Sequence, residues 1–475
     1  MRPVELTLLV LLLAWVAAAL AHVRRARPWQ RWFLAAIALA AVAHILLEGW
    51  RLQIAPAYFA ILFVGLSALN VSDLATRVFL ASFVAVCAVF SLIAAYAFPV
   101  IVLPEPHGPY AIGTFIAHLV DRSRPERHSD VPGAPREFMI QVWYPAEHVK
   151  GKRAWYRDPR MNTWRSDHLR LVKTHSFWDL PAAKQAQTFP VLLFGPSSGG
   201  NRDQNTFEVE ELVSQGYVVV GMDFPYSCSR VVFPDGRVAH SLPIWMDSST
   251  PESYRATVAG IELMLQDHVN DARYVLNELE RWNRAGSGHL LAGRLNLART
   301  GVFGHSFGGA LAAALCRADS RVVAGINMDG WLFSEAEREG VPKPFLYMYS
   351  DETWAPDPAV IAGYRGGVRR EADKTLLDWR REAETIKRFG GYRLHIVGSG
   401  HGNYSDIGLF TRPLPFQSHP RLNNYRAFQI IDAFTLAFFD RYLRDRAAPL
   451  LDQGGYPGEV QYERFSAPAA EARSF

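Results

Sequence analysis

The sequence predicts an α/β fold, a mostly parallel sheet flanked by helices, preceded by an N-terminal four-helix transmembrane region. Three observations carry this prediction. Four apolar stretches follow one another within the first hundred of 475 residues. Beyond residue 104, short apolar runs alternate with amphipathic stretches, the pattern of strands buried on both faces between helices. One of those runs ends in a Gly-x-Ser-x-Gly turn that leads straight into a small-residue helix.

The apolar stretches run from about Val4 to Val23, Trp32 to Trp50, Ile54 to Leu69 and Val78 to Val100. A membrane helix needs about 20 apolar residues. Charge is almost absent from these spans: Glu5 and Glu48 stand near ends, and His44 is the ionisable group inside the second. The first stretch ends in Ala17-Ala18-Ala19-Leu20-Ala21, as a cleaved leader does, but the later spans anchor the chain in any case. Arg24, Arg25, Arg27 and Arg31 fill the first loop and Arg77 the third, against Arg2 and Arg51 on the other side. The positive-inside rule then puts the first and third loops in the cytoplasm. An even number of spans returns the N-terminus and the large C-terminal domain to the opposite, extracytoplasmic side. His44 and Glu48, four apart near a span end, read as interfacial anchors. The domains expected are 1–104 (membrane), 105–465 (α/β) and 466–475 (a mobile tail).

Net charge is +4, from 50 basic and 46 acidic residues, too balanced to point to nucleic acid. Cys87, Cys228 and Cys316 are too few for a disulfide framework and read as free thiols. There is no His-x-x-x-His or paired-Cys spacing for a metal and no phosphate loop for a nucleotide. No metal or cofactor is expected. Spans without interior charge offer no transport pathway. Nothing bears on oligomeric state.

Pro104-Glu105-Pro106-His107-Gly108-Pro109 closes the membrane region with breakers. Strands are expected at Phe138–Tyr144, Pro190–Phe194, Tyr217–Met222, Thr300–Phe303, Val322–Met328, Pro344–Tyr349 and Tyr392–Val397. Helices are expected at about Asn201–Gln215, Glu252–Trp282 and Gly308–Cys316. The segments Asp235–Ser253 and Asp351–Gly391 carry aromatics and read as insertions that border a substrate entrance.

The Gly-x-Ser-x-Gly pattern occurs twice. After Gly195-Pro196-Ser197-Ser198-Gly199 comes the polar stretch Gly200-Asn201-Arg202-Asp203-Gln204. After Gly304-His305-Ser306-Phe307-Gly308 comes Gly309-Ala310-Leu311-Ala312-Ala313-Ala314, which starts a buried helix. Strand, sharp turn and small-residue helix are the requirements of a nucleophile elbow, which makes Ser306 the candidate nucleophile and the fold an α/β-hydrolase. A serine hydroxyl needs a base and an orienting acid, and here they follow in the order acid, then histidine. Asp329, at the end of Ile326-Asn327-Met328-Asp329, is the clearest acid. His401, in the Gly-rich loop Gly398-Ser399-Gly400-His401-Gly402, is the clearest base, with His419 the one competitor far enough downstream. His401 would take the serine proton and Asp329 would hold its ring. An oxyanion needs two backbone N–H donors. Phe307 should supply one. The first Gly-x-Ser-x-Gly copy should supply the other, from Ser198 or, next to it, Gly199.

At these residues the chain resembles the plasma and type II platelet-activating-factor acetylhydrolases and their bacterial membrane-anchored relatives. Gly304-His305-Ser306-Phe307-Gly308-Gly309 matches that family's elbow, and the acid stands 23 residues after the serine in Asp329-Gly330-Trp331. His401-Gly402-Asn403-Tyr404-Ser405-Asp406 is similar to the family's histidine motif. Gly108-Pro109-Tyr110-Ala111-Ile112-Gly113-Thr114 with Val142-Trp143-Tyr144-Pro145 looks like the opening of the bacterial members. The family's oxyanion loop usually carries a histidine that Gly195–Gly199 lacks, and its secreted members have no membrane spans. The resemblance implies a carboxylic ester hydrolase, independent of metal, acting on short-acyl or phospholipid-like esters, here in a bacterial inner membrane. The aromatics Phe307, Trp331, Phe333, Trp245 and Trp354 suit a small amphiphilic ester near a bilayer, with Trp331 the expected pocket residue. The alternatives are a general carboxylesterase, a lactone or polyester hydrolase, an acyltransferase, or a non-catalytic membrane sensor or scaffold.

Overall fold

The computed structural model describes residues 2–21, 28–67, 74–184, 188–242, 247–412 and 420–467. Trp245, His419 and the tail from 468 onward lie outside the described residues. The chain divides into two compact units. One comprises Met1–Val102, Trp155–Lys173 and Leu409–Ser418; the other comprises Leu103–Ala154, Thr174–Gly408 and His419–Phe475. The first unit thus draws two later segments to the N-terminal helices, so no single cut at residue 104 divides the chain.

The first unit holds α1 (Pro3–Ala21), α2 (Pro28–Ala43), α3 (Ala55–Ser67) and α4 (Leu74–Ala97). Among the described residues, Pro3–Ala21, Gln30–Glu48 and Leu74–Ala97 are long and apolar enough to cross a membrane. Here the structure departs from the four-span expectation. The third stretch forms an α-helix of 13 residues, about 20 Å at 1.5 Å per residue, short of a hydrocarbon core of about 30 Å. A short 3₁₀ turn at Leu52–Ile54 takes up the residues before it.

A buried polar knot ties the helix ends together. The Arg51 guanidinium grips both Glu5 carboxylate oxygens, at 3.0 and 2.7 Å, and also donates to the Ala95 carbonyl. The Arg2 side chain donates to Glu5 and to His44 Nε2, and His44 meets the Tyr58 hydroxyl. Glu48 accepts from the Val4 and Glu5 N–H groups at 2.8 and 3.0 Å, where the start of α1 favours a negative charge. His44 and Glu48 are therefore not free interfacial anchors: His44 is fully buried and Glu48 caps a helix. The start of α1, the end of α2, the start of α3 and the end of α4 all gather at this knot, so α1 to α4 run alternately up and down.

The second unit is built on an eleven-stranded sheet among the described residues, in the order β13-β12-β11-β10-β9-β5-β6-β2-β1-β4-β3. These strands are β1 (Ala111–Pro125), β2 (Pro135–Ala146), β3 (Arg153–Trp155), β4 (Lys173–Trp178), β5 (Phe189–Gly195), β6 (Val218–Asp223), β9 (Leu295–His305), β10 (Val322–Met328), β11 (Phe345–Tyr349), β12 (Gly391–Ile396) and β13 (Val460–Phe465). A separate two-stranded ribbon joins β7 (Arg230–Val232) to β8 (Val238–His240). The run β6-β5-β9-β10-β11-β12 is parallel throughout. β2 and β13 close on it antiparallel, and β1 pairs antiparallel with β2.

The helices of this unit are α5 (Thr206–Ser214), α6 (Pro251–Asn283), α7 (Phe307–Ala318), α8 (Ser334–Glu339), α9 (Pro358–Ala362), α10 (Gly366–Phe389), α11 (Ile407–Phe410), α12 (Asn424–Arg444) and α13 (Pro449–Gln453). Val191, Leu193 and Val302 pack in one core with Ala310, Leu311 and Ala313 of α7 and Leu276 of α6. The alternate residues face the other way: Phe303 meets Phe439 of α12, and Phe207 of α5 stacks on Phe428 at 3.8 Å. Burial on both faces is why these strands read as unbroken apolar runs.

All the expected strands are present, and β1, β3, β4, β7, β8 and β13 add to them. The expected helix from Asn201 begins only at Thr206, because Asn201 and the Arg202 N–H turn aside to bond the buried Asp223 carboxylate. The segment Asp351–Gly391 contains α9 and the 24-residue α10. The chain passes from β5 to β6 and then returns to place β9 on the other side of β5. Ligand crevices form at the carboxyl ends of strands at such a switch point, and the turns after β5 and β9 meet there.

Candidate active site

Ser306 sits between β9 and α7 with φ +56°, a left-handed backbone that only a constrained turn imposes on a serine. Its N–H donates to the Met328 carbonyl at 2.8 Å. The glycines on either side are sterically required. A Cβ on Gly304 would stand 2.3 Å from the Gly308 backbone, and one on Gly308 would stand 1.8 Å from the Gly195 carbonyl oxygen. The turn therefore brings the first residues of α7 against the end of β5.

Asp329 ends β10, also with positive φ (+57°). Its buried Oδ2 accepts from His401 Nδ1 at 2.7 Å. Its Oδ1 accepts from the Ser350 N–H at 2.8 Å and from the Thr353 hydroxyl. Burial works to raise the Asp329 carboxyl, but the hydrogen bond and charge of His401, with the Thr353 and Ser350 bonds, outweigh it and hold the group below the usual carboxylate range. In His401, burial favours the neutral ring. The bond to Asp329 and the negative charges of Asp329 and Glu352 outweigh that and raise its proton affinity above the ordinary histidine value. Because the carboxylate only accepts, Nδ1 carries the proton and Nε2 is the ring nitrogen with a lone pair able to accept one.

A cavity of about 360 Å³ is lined by Ser198, Ile261, Met264, Ser306, Phe307, Asp329, Trp331, Phe333, Glu352, Thr353 and His401. The structure thus brings Ser306, Asp329, His401, Ser198, Phe307 and Trp331 to one cavity. In the loop after β5, the Gly199 N–H donates to the Ser227 carbonyl, the Gly200 N–H to Ser197, and the Ser197 N–H to Gln204. The Ser198 N–H makes no such bond among the described residues, which favours it over Gly199 as a donor to a bound oxyanion. Phe307 opens α7, where the first N–H groups have no intrahelical acceptor and the helix end favours negative charge. Trp331 is held by a bond from its Nε1 to the Thr375 hydroxyl at 3.1 Å.

Of the aromatics singled out in the sequence, Trp354 is not part of the cavity lining. It stacks on His395 and packs edge-on to Trp379. Ile261 and Met264 escaped the sequence reading, since their helix carries no motif. Glu352 and Thr353 lie in the segment read as bordering an entrance, and only their fold neighbours reveal their roles. Among the described residues, no group of three or more His, Cys, Asp or Glu side chains is placed to hold a metal ion. A second, larger cavity of about 840 Å³ lies by the amino ends of β5 and β9. Its arginines are committed: Arg299 pairs with Asp445, and Arg444 and Arg446 with Asp440.

Residues 283–448 match the family model described as platelet-activating factor acetylhydrolase, isoform II. Ser306, Asp329 and His401 all fall within that segment. A probable 1-alkyl-2-acetylglycerophosphocholine esterase from Arthroderma benhamiae is 26% identical over 280 residues, covering 51% of this chain. The match spans 64% of that fungal relative, under two thirds of its length. The platelet-activating factor acetylhydrolase of Cavia porcellus is 21% identical over 365 residues, 72% of this chain and 78% of its own. Among solved structures, a ferulic acid esterase from Streptomyces cinnamoneus superposes with a TM-score of 0.61 at 27% identity, covering 77% of this chain and 99% of its own. In this matched segment and in these relatives, the chain is similar to the platelet-activating-factor acetylhydrolase family of ester hydrolases.

Proposed function

We propose that this protein is a membrane-anchored serine carboxylic ester hydrolase that works through an acyl-enzyme on Ser306. The observation that carries the reading is the His401–Asp329 bond in the same cavity as a serine on a strained turn. Ser306 Oγ attacks the ester carbonyl carbon while His401 Nε2 takes its proton. The carbonyl oxygen becomes an anion held by the N–H groups of Ser198 and Phe307. As the carbonyl reforms, the C–O bond to the alcohol breaks and His401 returns the proton to that alcohol. Water, deprotonated by the same ring, then releases the acid and restores Ser306. No metal or other cofactor enters this cycle.

The cavity supports a substrate class. Ile261, Met264, Phe307, Trp331 and Phe333 make an apolar wall, and a space of about 360 Å³ suits a short acyl group. With the named activities of the relatives, this favours short-acyl, phospholipid-like esters. The aromatic lining, together with the ferulic acid esterase likeness, supports aryl-acyl esters as a second reading. Three long apolar helices, with the shorter α3 between them, support a membrane anchor. The alternating run of α1 to α4, entered and left at the same knot, supports an N-terminus and a hydrolase unit on one side of the membrane. The arginines of the first loop make that side extracytoplasmic.

The test compares hydrolysis of acetyl, butyryl, palmitoyl and feruloyl esters, and of a phospholipid with an acetyl group at sn-2, by the wild type and Ser306→Ala in detergent. Short acyl groups should lead, and Ser306→Ala should lose about 10³-fold or more in kcat. A serine variant retaining wild-type turnover would exclude the mechanism, and preference for feruloyl esters would move the substrate to the second reading.

A further inference from the structure

The elbow residue His305 is fully buried, yet both its ring nitrogens are engaged. Nε2 donates to the His401 carbonyl oxygen at 3.0 Å, and Nδ1 lies 2.7 Å from Gln204 Nε2. Gln204 Oε1 in turn accepts from the Ser197 N–H at 2.9 Å and the Ser197 hydroxyl at 2.8 Å. The two backbone ends leave no freedom of direction. A peptide N–H can only donate and a peptide carbonyl can only accept. The chain must therefore run from Ser197 N–H to Gln204 Oε1, from Gln204 Nε2–H to His305 Nδ1, and from His305 Nε2–H to the His401 carbonyl. The Gln204 backbone carbonyl adds a bond from the Asp406 N–H at 2.9 Å, at the far end of the His401 turn. Gly200 makes room for the amide, since a Cβ there would stand 1.8 Å from Gln204 Oε1.

Each anchored residue is, or adjoins, a reacting group. Ser197 precedes Ser198, His305 precedes Ser306, and His401 is the base. We infer that Gln204 and His305 form a positioning pair that holds the oxyanion loop, the nucleophile elbow and the base loop in one register. This inference rests on the reaction proposed above. Three separate loops converge on the site, and a shift of about 1 Å in one of them can cost about 10²-fold in rate. Burial and the neighbouring His401 push the His305 ring down to about 3, so it stays neutral and its proton stays on Nε2 at working pH. The pair fixes positions and carries no proton in the cycle. The charged groups facing His401 are Asp329 and Glu352, and those facing His305 are Asp329 and His401 itself, 4.5 Å away ring to ring.

Two variants of the full chain test the inference. Gln204→Leu breaks all three side-chain bonds and should lower kcat by about 10²-fold with KM little changed and the acid limb of kcat/KM unmoved. Gln204→Glu can still accept from Ser197 and can accept from a protonated His305 Nδ1, so it should recover most of the lost kcat. The new cation beside His401 disfavours a second one, so the acid limb should move to lower pH. A loss of thermal stability with unchanged kcat in Gln204→Leu, or an unmoved acid limb in active Gln204→Glu, overturns the positioning role. Imidazole ¹⁵N shifts of His305 in the wild type are read independently of activity. They should show Nε2–H with Nδ1 as acceptor, and the opposite tautomer overturns the inference. A wild type without esterase activity but with the expected tautomer would fault the functional reading and leave the bonded chain standing.

Discussion

Glu352, an exposed residue of the cavity lining, brings a second negative charge to His401. As the proposed base, His401 would act only when neutral, so activity should fall as pH drops through its pKa, which Asp329 and Glu352 hold above the ordinary histidine value. Glu352→Gln removes one of those charges and favours the neutral ring. The acid limb of kcat/KM should then move to lower pH in a pH–rate profile, and a limb that stays put or moves up would exclude the assignment. Ser306, Asp329 and His401 were legible in the sequence because each carries its own local signature: an elbow, a strand-end acid and a Gly-rich loop. Glu352, Thr353, Ile261 and Met264 were not, because a carboxylate in an insertion or two apolar residues on a long helix acquire a role only from what they meet in space.

At the scale of elements, the elbow depends on backbone packing against backbone. Neither the Gly195 nor the Pro196 carbonyl, both main chain, can move aside for a methyl group at residue 308, as the end of a side chain could. Gly308→Ala should cost about 1–3 kcal/mol or more in thermal unfolding and abolish fluorophosphonate labelling of Ser306. Gly260, in the middle of α6 with nothing within 4 Å of its added Cβ, is the control. There the same substitution should stabilise by about 0.5–1 kcal/mol, and a Gly308→Ala protein as stable as wild type would sink the packing argument. Strand positions were readable from unbroken apolar runs. The start of α5 was not, because the distant Asp223 draws off the residues that would have begun the helix.

For the whole molecule, the polar knot of Glu5, Arg51, Arg2, His44 and Glu48 joins helix ends far apart in sequence. It supports a bundle that the chain enters and leaves at one end, even though α3 is short. A reporter fused after Phe475 should therefore be active only outside the cytoplasm, on the same side as a tag before Arg2. Activity inside would reject this topology. By itself the sequence determined the apolar helices, the parallel α/β plan and the order of Ser306, Asp329 and His401 as candidate nucleophile, acid and base, since each is written in contiguous residues or in a period of the chain. Only the tertiary structure decided that Ser198 rather than Gly199 keeps an N–H unbonded among the described residues, that His44 and Glu48 belong to a buried knot, and that Gln204 and His305 tie three loops together. Those outcomes depend on which hydrogen-bond partners lie within about 3 Å, and partners tens to hundreds of residues apart in sequence leave no local trace of their meeting.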